Sequence, residues 1–266
     1  MPVSRRCPGC ESEAHSPENI ARAPWEIVRC RDCGFAYLPV APTYDELQAE
    51  FEWNASVRAE KKRRKRERPV VSWLDAKTRW RLHMFPRPET YRFIQKLVPD
   101  GGNVLDVGCG DGRQGLRLGD RYVPFGVEIS AELGEAANTA FRPFGGSAAT
   151  APAIEGIAGF DDEFFHGAML NSYLEHEIEP GAVLEALRPK LRPGGVAVVK
   201  VPNYGSWNAA VMKQNWCGVR LPDHVNYFTP QSLGAMARKL AYTVDYPRAA
   251  NLPTNDNFWA FLRPAA

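Results

Sequence analysis

The apolar residues of the C-terminal two thirds of the chain form short runs that alternate with longer segments of helical spacing. The runs occupy residues 104–107, 123–127, 165–170 and 196–201, and each precedes a turn or a helical pattern. Because strands that alternate with helices form parallel sheets covered on both faces, the pattern predicts a doubly wound α/β domain.

The pattern changes near the C-terminal end. A helix is predicted over residues 230–240, and two extended segments follow at 242–246 and 258–262. The interval between these two segments is too short for a helical crossover, so we expect the last strand to be antiparallel. The segment 145–159, which is rich in small residues, is predicted to be a loop.

Helical patterns also precede the first apolar run. Behind Pro86 and Pro88, residues 89–98 place their apolar side chains on one side of a predicted helix. Residues 44–68 contain no proline and include a basic run at 58–68, whose charges surround the predicted helix. A helix without an apolar face is exposed to solvent or faces a partner. We therefore expect three parts: a small N-terminal module over 1–42, a helical linker or lid over 43–87 and the α/β domain over 88–266.

Four cysteines of the N-terminal module form two C-x-x-C pairs. Cys7 and Cys10 make the first pair, Cys30 and Cys33 make the second, and nineteen residues separate the pairs. This spacing is typical of structural zinc sites, in which four thiolates complete a tetrahedron and leave no position for a substrate. The pattern favours a zinc ribbon over a pair of disulfides or a redox dithiol, because disulfides need an oxidising compartment and a redox dithiol needs one motif.

Composition narrows the class of protein. The 266 residues are 44% hydrophobic and 24% charged, which is typical of a soluble globular protein. The most apolar stretch, at 195–201, is far too short to span a bilayer, so no membrane role is predicted. The first residues lack the apolar centre of a secretory signal, and we therefore expect a cytoplasmic protein.

Charge is distributed unevenly along the chain. The net charge is +2, but residues 58–68 carry +6, so the remainder sums to −4. A basic helix favours docking of an anionic partner or substrate, and RNA is the second possibility. RNA is less favoured because the other residues are net acidic and predict no broad basic groove.

A glycine-rich turn follows the first predicted strand of the α/β domain. Residues 104–112 read VLDVGCGDG, the setting in which nucleotide cofactors bind in open α/β sheets. Arg113 stands where a dinucleotide fingerprint has its third glycine. Asp106 ends the strand, and a carboxylate there suits the ammonium and sulfonium groups of S-adenosylmethionine better than a pyrophosphate. Glu128 ends the next strand, where it can accept hydrogen bonds from ribose hydroxyls of either cofactor.

The segments VLDVGCGDG, FGVEIS, LNSYLEHEIEP and LRPGGVAVVKVPN resemble, in this order, the motifs of class I S-adenosylmethionine-dependent methyltransferases. The resemblance covers residues 88–266 and implies a Rossmann-like, seven-stranded, mostly parallel sheet with an antiparallel last strand. It implies that the cofactor is held at the turn after the first strand, at the acid of the second strand and at the end of the fourth strand. The residues implied are Asp106, Gly108, Cys109, Gly110, Glu128, Ile129, Leu170 and Asn171.

The acceptor side is predicted in the long segment 202–229, which follows the fifth strand and is rich in aromatic residues. Methyl transfer needs a group that removes a proton from the acceptor, and histidine suits that role near neutral pH. His224 is the best candidate base, with Asp223 or another acid orienting it. The alternative is a structural histidine that ties this segment to the backbone.

The segment DHVNYFTPQSL, at residues 223–233, resembles a motif of a methyltransferase subgroup that includes deoxysugar C-methyltransferases. Those enzymes also carry an N-terminal four-cysteine zinc module. The resemblance implies that His224 deprotonates a carbon beside a keto group, with Tyr227 nearby. The sugar enzymes carry a further C-terminal domain with no counterpart here, so the resemblance leaves the substrate open.

Glu175 and His176 resemble a pair in quinone-biosynthetic O-methyltransferases, where neighbouring carboxylates help to hold a metal ion. Ser172 stands where the additional acid would be, so the sequence favours a structural hydrogen bond over a catalytic metal. His166 stands where many relatives have an aspartate, and it is given no role.

Three functions are compatible with these patterns. A methyltransferase acting on a small molecule, such as a sugar, a nucleotide-linked compound or another secondary metabolite, is favoured. An RNA base methyltransferase, with the zinc module and the basic helix binding ribosomal RNA, is the second. A zinc-ribbon binding module with a degenerate methyltransferase domain is the third, and Asp106 and Glu128 argue against it. The oligomeric state is left open.

Overall fold

The structure is a computed structural model that describes residues 2–43 and 88–265. The predicted helical linker, with the basic run at 58–68, lies outside the described residues apart from Thr43.

The described strands and helices follow one another in an alternating order over most of the chain. In chain order the strands are β1 (Val3–Ser4), β2 (His15–Arg22), β3 (Trp25–Cys30), β4 (Ala36–Tyr37), β5 (Val40–Ala41), β6 (Gly102–Val107), β7 (Tyr122–Glu128), β8 (Ser147–Thr150), β9 (Phe165–Asn171), β10 (Leu191–Pro202), β11 (Asn226–Tyr227), β12 (Tyr242–Asp245) and β13 (Asn257–Pro264). The helices are α1 (Thr90–Leu97), α2 (Arg113–Leu116), α3 (Ala131–Phe141), α4 (Ala153–Ala158), α5 (Pro180–Leu187), α6 (Trp207–Met212) and α7 (Pro230–Lys239). None of these helices has the length and apolar character needed to cross a membrane.

Seven strands form the central sheet in the order β12-β13-β10-β9-β6-β7-β8. Strands β6 to β10 are parallel, and β13 runs antiparallel to both of its neighbours. The predicted Rossmann-like sheet with an antiparallel last strand is confirmed. The strand order reverses between β6 and β9, and ligands of such sheets bind in the crevice outside the carboxyl ends at that point.

Both faces of the central sheet are buried, which explains why its inner strands are mostly apolar. Val104 packs with Ile94 of α1 on one face, and Leu105 packs with Leu184 of α5 on the other. Helix α7 begins where predicted, because Pro230 occupies its first turn and the Thr229 side chain accepts a hydrogen bond from the backbone N–H of Ser232.

The segment 145–159 differs from its prediction as a loop. It contains the edge strand β8 and the helix α4. The four residues of β8 are small and only partly buried, so they give no apolar run that a sequence pattern could reveal. Helix α4 approaches the sheet closely at Gly156, where an added Cβ would lie 2.5 Å from Cγ1 of Val127. The small residues therefore serve close packing in this segment.

The N-terminal module forms a second sheet, in the order β11-β4-β3-β2. Its strand β11 comes from the segment 202–229, not from the module itself. The Leu38 backbone N–H donates to the Val225 carbonyl at 3.0 Å, and the rings of Phe35 and Phe228 meet edge to face at 5.1 Å. The module thus shares a sheet and a packed core with the α/β domain, although the predicted boundary at residue 42 separates them in sequence.

Candidate functional site

The turn between β6 and α2 carries three of the residues that the sequence predicts to hold the cofactor, Gly108, Cys109 and Gly110. Gly108 has a φ of +69°, which favours glycine, and an added Cβ would lie 2.5 Å from the ring of Tyr173. Gly110 and Gly112 also have positive φ angles. The glycines therefore let the backbone turn sharply at the carboxyl edge of the sheet and leave that edge open to a ligand.

Asp106 is buried in β6, and its Oδ2 atom has no hydrogen-bond partner among the described residues. Burial, together with the nearby charge of Glu128, raises the pKa of the Asp106 carboxyl to about 7. A buried carboxylate beside a second carboxylate is unfavourable unless a proton or a cation compensates for it. The pair therefore forms a site that suits a cationic ligand.

Glu128 closes the glycine turn onto the end of β7. Its Oε2 accepts from the Gly110 N–H at 2.8 Å, and its Oε1 accepts from the Ser130 N–H at 3.0 Å. Each carboxylate oxygen keeps a second lone pair, which can accept from a ligand hydroxyl. The two backbone bonds fix the orientation of Glu128 before any ligand arrives.

The remaining predicted cofactor residues lie at the same edge of the sheet or in contact with it. Leu170 and Asn171 end β9, and the Asn171 Oδ1 accepts from the Thr90 hydroxyl at 2.7 Å. Ile129 follows β7 directly. The Cys109 side chain is buried against Phe141 and raised in pKa by that burial, so only its backbone faces the turn. The structure thus brings the predicted cofactor residues to the ends of β6, β7 and β9.

A cavity of about 150 Å³ lies beyond the ends of β9 and β10. Its lining includes polar side chains from three parts of the chain, among them Ser172, Glu175, Arg220, His224 and Asp256. The cavity lies under the segment 202–229, where the aromatic composition predicts an acceptor pocket.

His224 lies in the wall of this cavity and is buried. Its Nδ1 lies 2.8 Å from the Gly218 carbonyl, and its Nε2 has no hydrogen-bond partner among the described residues. Burial, with the nearby His176, holds the pKa of His224 well below its usual value. The ring is therefore neutral, with a proton on Nδ1 and a lone pair on Nε2.

Asp223 has a different partner from the one that the sequence predicts. The sequence predicts that it orients His224, but its Oδ1 lies 3.0 Å from the Nδ1 of His176, and Arg220 makes an ion pair with its Oδ2. Although burial acts in the opposite direction, these neighbours lower the pKa of Asp223 to about 2. A backbone carbonyl, that of Gly218, orients His224 instead.

The rings of His176 and His224 meet edge to face, with centroids 4.7 Å apart. Glu175 is buried beside them, its Oε2 has no hydrogen-bond partner among the described residues, and burial raises its pKa. The sequence did not predict this meeting, because 48 positions separate His176 from His224. The only sign of this cluster in the sequence is the pair Glu175-His176, which resembles part of a metal site. Ser172 stands where such a site has an additional acid, so the pair by itself did not predict the cluster.

Two other predicted residues lie outside this cluster. Tyr227 is buried in the apolar contact between the N-terminal module and the segment 202–229, with its ring centroid 5.2 Å from that of Tyr204. His166 begins β9 at the opposite edge of the sheet, where its Nδ1 accepts from the Asn103 N–H at 3.1 Å. That bond gives His166 a structural role.

The four cysteines of the N-terminal module converge as predicted. One sulfur atom from each lies within 4.8 Å of the others, and the distances are 3.4 Å for Cys7–Cys33 and 3.5 Å for Cys10–Cys30. Sulfurs bound to one zinc ion at about 2.3 Å lie about 3.8 Å apart in a tetrahedron. The four side chains therefore fit a tetrahedral ion.

A model of the protein family described as a methyltransferase domain matches residues 79–246. Among curated proteins the chain has no match. The fold is similar to several solved structures. The 1,6-didemethyltoxoflavin-N1-methyltransferase of Burkholderia thailandensis, solved with 1,6-didemethyltoxoflavin and S-adenosylhomocysteine, is 18% identical with a TM-score of 0.51, over 94% of this chain and 100% of that chain.

Two archaeal structures share the α/β domain. A methyltransferase of Methanosarcina mazei described as SAM-dependent is 18% identical with a TM-score of 0.51, over 67% of this chain and 100% of that chain. A SAM-dependent methyltransferase of Archaeoglobus fulgidus is 16% identical with a TM-score of 0.50, over 65% of this chain and 91% of that chain. At these identities the likeness concerns the fold.

Proposed function

This chain belongs to the methyltransferase domain family, and from that premise we propose that it transfers a methyl group from S-adenosylmethionine to a small-molecule acceptor. The observation that carries the choice of cofactor is the buried carboxylate of Asp106 beside Glu128 at the carboxyl edge of β6 and β7. S-adenosylmethionine, when bound, supplies a methyl group activated by a positively charged sulfur.

The proposed cofactor-binding residues contact different parts of S-adenosylmethionine. Asp106 compensates the positive charge of the cofactor, and the unused lone pairs of Glu128 accept from the ribose hydroxyls. The turn at Gly108 and Gly110 lets the backbone approach the cofactor, and Leu170 and Asn171 border the methyl group. Ile129 and the backbone of Cys109 complete this set.

At the acceptor end, we propose that His224 removes the proton of the acceptor. Support comes from its Nδ1, which is held by the Gly218 carbonyl, and from its Nε2 lone pair in the cavity wall. Asp223 and Tyr227 act through the packing around it. The cavity of about 150 Å³ is smaller than pockets for drug-sized ligands, which measure about 300–1,000 Å³, and so suits a small metabolite or its reacting end.

We further propose that Cys7, Cys10, Cys30 and Cys33 bind a structural Zn²⁺ ion. A four-thiolate zinc site has no open position, so the ion stabilises the N-terminal module and takes no part in methyl transfer. The resemblance of residues 223–233 to the deoxysugar subgroup makes ketosugars the first acceptors to assay.

Methylation of an RNA base remains the alternative function, because the basic run at 58–68 could neutralise several phosphates. Filter binding of ribosomal RNA at two salt concentrations distinguishes the two functions. An RNA enzyme requires an affinity that falls steeply with salt, whereas a small-molecule enzyme shows weak binding to RNA at both concentrations.

Titration calorimetry with S-adenosylmethionine and S-adenosylhomocysteine tests the cofactor assignment. We expect Asp106→Asn, which keeps the shape of the side chain, to weaken binding of S-adenosylmethionine by at least about tenfold, since a desolvated charge pair contributes more than 1 kcal/mol. The matched control, Asp120→Asn, changes an exposed carboxylate and should leave affinity unchanged. Equal affinity in wild type and Asp106→Asn would rule out the proposed cofactor site.

A further inference from the structure

Three side chains in the wall of the acceptor cavity offer a second set of ligand atoms, separate from the four cysteines. One atom each of Glu175, His176 and His224 lies within 4.8 Å of the other two. All three side chains are largely or fully buried. Glu175 and His176 follow β9, whereas His224 comes from the segment 202–229, so only the folded chain brings the set together.

Hydrogen bonds orient both imidazole rings in the way that metal ligands require. The Nδ1 of His224 lies 2.8 Å from the Gly218 carbonyl, and the Nδ1 of His176 lies 2.9 Å from the Asp223 carbonyl and 3.0 Å from the Asp223 carboxylate. A ring that donates through Nδ1 presents its Nε2 lone pair, and histidines that bind metals almost always donate their other N–H to a carboxylate or a carbonyl. Both kinds of partner occur here.

The lone pairs of this set lack compensating donors. Neither the Oε2 of Glu175 nor the Nε2 of His224 has a hydrogen-bond partner among the described residues, and both atoms are buried. Arg220 is already paired with Asp223. Buried acceptors without donors are costly, so a cation or a proton between them would stabilise the fold.

We propose that Glu175, His176 and His224 bind one divalent transition-metal ion at the acceptor end of the cavity. Two imidazoles and one carboxylate suit Zn²⁺, Co²⁺ or Fe²⁺, whereas Mg²⁺ and Ca²⁺ prefer sets of oxygen ligands. Ligand atoms about 2.1 Å from one ion lie about 3.4–4.2 Å apart, so closure from the observed limit of 4.8 Å takes about 1 Å. Three protein ligands leave further positions open toward the cavity.

In the sequence, Ser172 argues against a catalytic metal because it stands where an additional acid ligand would be. In the folded chain this argument does not hold. The missing acid near Glu175 is replaced by His224, which the sequence places 48 positions beyond His176. The site is therefore built from residues that no local motif joins.

A metal ion binds here whether or not the protein transfers methyl groups, so the site goes beyond the proposed function. It also bears on that function, because the Nε2 of His224 cannot hold a metal ion and accept a proton at once. If His224 is the base, loading this site slows methyl transfer. Faster transfer after loading would contradict the role of His224 as base and would still support the metal site.

Cobalt binding to the full-length chain tests the site without an acceptor. After removal of metals with a chelator, Co²⁺ is titrated in while the visible and near-ultraviolet spectra are recorded, because only the cysteine site gives thiolate charge-transfer bands. We expect about two Co²⁺ ions per chain, of which one produces these bands and the other only weaker d–d bands.

Three variants assign the second ion. His224→Ala and Glu175→Gln should each reduce binding from about two ions to about one and keep the thiolate bands. Glu175→Gln keeps the shape of the side chain, so it remains informative if His224→Ala fails to fold. The control His166→Ala changes a histidine at the opposite edge of the sheet and should bind as wild type does.

A variant that removes a partner of the His176 ring should weaken the second Co²⁺ without abolishing its binding. Asp223→Ala removes the carboxylate near the His176 Nδ1 and keeps the backbone carbonyl at that position, so it should weaken the second Co²⁺ by about 10-fold, the lower end of the usual effect of losing a partner of a metal-bound histidine. A wild-type chain that binds only one Co²⁺, with thiolate bands and no change in Glu175→Gln, would overturn the proposal and leave a shared proton as the compensation for these acceptors.

Discussion

Apart from Leu170 and Asn171 of β9, the cofactor end of the candidate site comes from one short stretch of chain, whereas the acceptor end is assembled from several distant segments. Asp106, Gly110 and Glu128 belong to two adjacent strands and the turn between them. The acceptor end joins the residues after β9 to the segment 202–229, and the N-terminal module supports that segment through the pairing of β4 with β11.

The two ends of the candidate site are therefore stabilised by different interactions. The cofactor end is held by ladder hydrogen bonds of the central sheet and by two backbone bonds to Glu128. The acceptor end depends on contacts between the N-terminal module and the segment 202–229. Damage to the module should therefore distort the acceptor end before it affects the cofactor end.

Removal of two cysteine ligands should give the largest difference between the acceptor end and the cofactor end. In Cys7→Ser/Cys10→Ser, we expect the N-terminal module to lose its structure, because metal binding supplies about 10–16 kcal/mol in small zinc modules. With β4 displaced, a shift of about 1 Å at the acceptor end is expected to lower turnover about 100-fold. Calorimetry should show an affinity for S-adenosylmethionine within about threefold of wild type.

The control for this variant is Asp32→Asn, which changes an exposed residue between two of the cysteines and keeps all four ligands. A parallel loss of cofactor affinity in the double variant would mean that the two ends are not independent.

The pH dependence of cofactor affinity tests whether the Asp106 carboxylate pairs with a cationic cofactor. The pKa of Asp106 is about 7 in the empty site, above its ordinary value of 3.8, so a cationic cofactor must displace a proton below pH 7. Affinity should therefore rise about tenfold per pH unit from pH 5 to 7 and level off above, a total of about 100-fold. Calorimetry in buffers of different ionisation heat measures the released proton.

The same shift has an opposite effect on the stability of the empty protein. A carboxyl whose pKa is raised in the folded state binds its proton more tightly there, so its contribution to stability declines as pH rises from about 4 to about 7. Asp106→Asn should remove both effects. An affinity profile that stays steep in Asp106→Asn would assign the proton to another group.

Gly108→Ala should disturb both ends together, because Gly108 contacts the ring of Tyr173 just before Glu175. The added Cβ would lie 2.5 Å from that ring and the residue would keep a φ of +69°, so we expect a loss of about 2 kcal/mol in the free energy of unfolding. Urea denaturation measures the change.

Gly110→Ala is the matched control, because it has a φ of +56° but no atom within 4 Å of the added Cβ. It carries backbone strain without the collision and should lose about 1 kcal/mol. Equal losses in the two variants would show that Tyr173 yields to the methyl group.

A smaller effect is expected where the N-terminal module meets α7. The Lys239 Nζ donates to the Gly9 carbonyl at 2.8 Å in an exposed contact. Lys239→Ala should lower the free energy of unfolding by about 0.5–1 kcal/mol, the usual contribution of one such bond. Thermal unfolding compared with Lys213→Ala, an exposed lysine in the segment 202–229, checks the difference, and equal melting temperatures would contradict it.

The sequence predicts the cofactor end well because its chemistry is local. Val104–Val107 is apolar except for Asp106, the glycines that follow it allow the turn, and Asp106 and Glu128 lie on strands that pair in register along their length. Strand β8 escapes prediction because Ser147–Thr150 owes its conformation to pairing with β7 and has no apolar pattern of its own.

The acceptor end could be predicted only in part. His224 stands out by its motif, but its partners depend on tertiary structure: the Gly218 carbonyl orients it, and Asp223 turns to His176. The approach of Glu175 to His224 joins residues far apart in sequence, and the short strand β11 forms only because β4 is there to pair with it.

The pairing of β11 with β4 has a consequence for how such proteins can be recombined. Asn226 lies opposite Tyr37 and Tyr227 lies opposite Ala36, so the segment that contributes His224 to the cavity wall is held by a strand encoded in a distant stretch of the gene. An N-terminal module grafted from a relative would bring a foreign partner strand for β11. Substrate range is therefore expected to be inherited as a matched pair of segments, and chimeras that exchange one without the other should fail at the acceptor and still hold the cofactor.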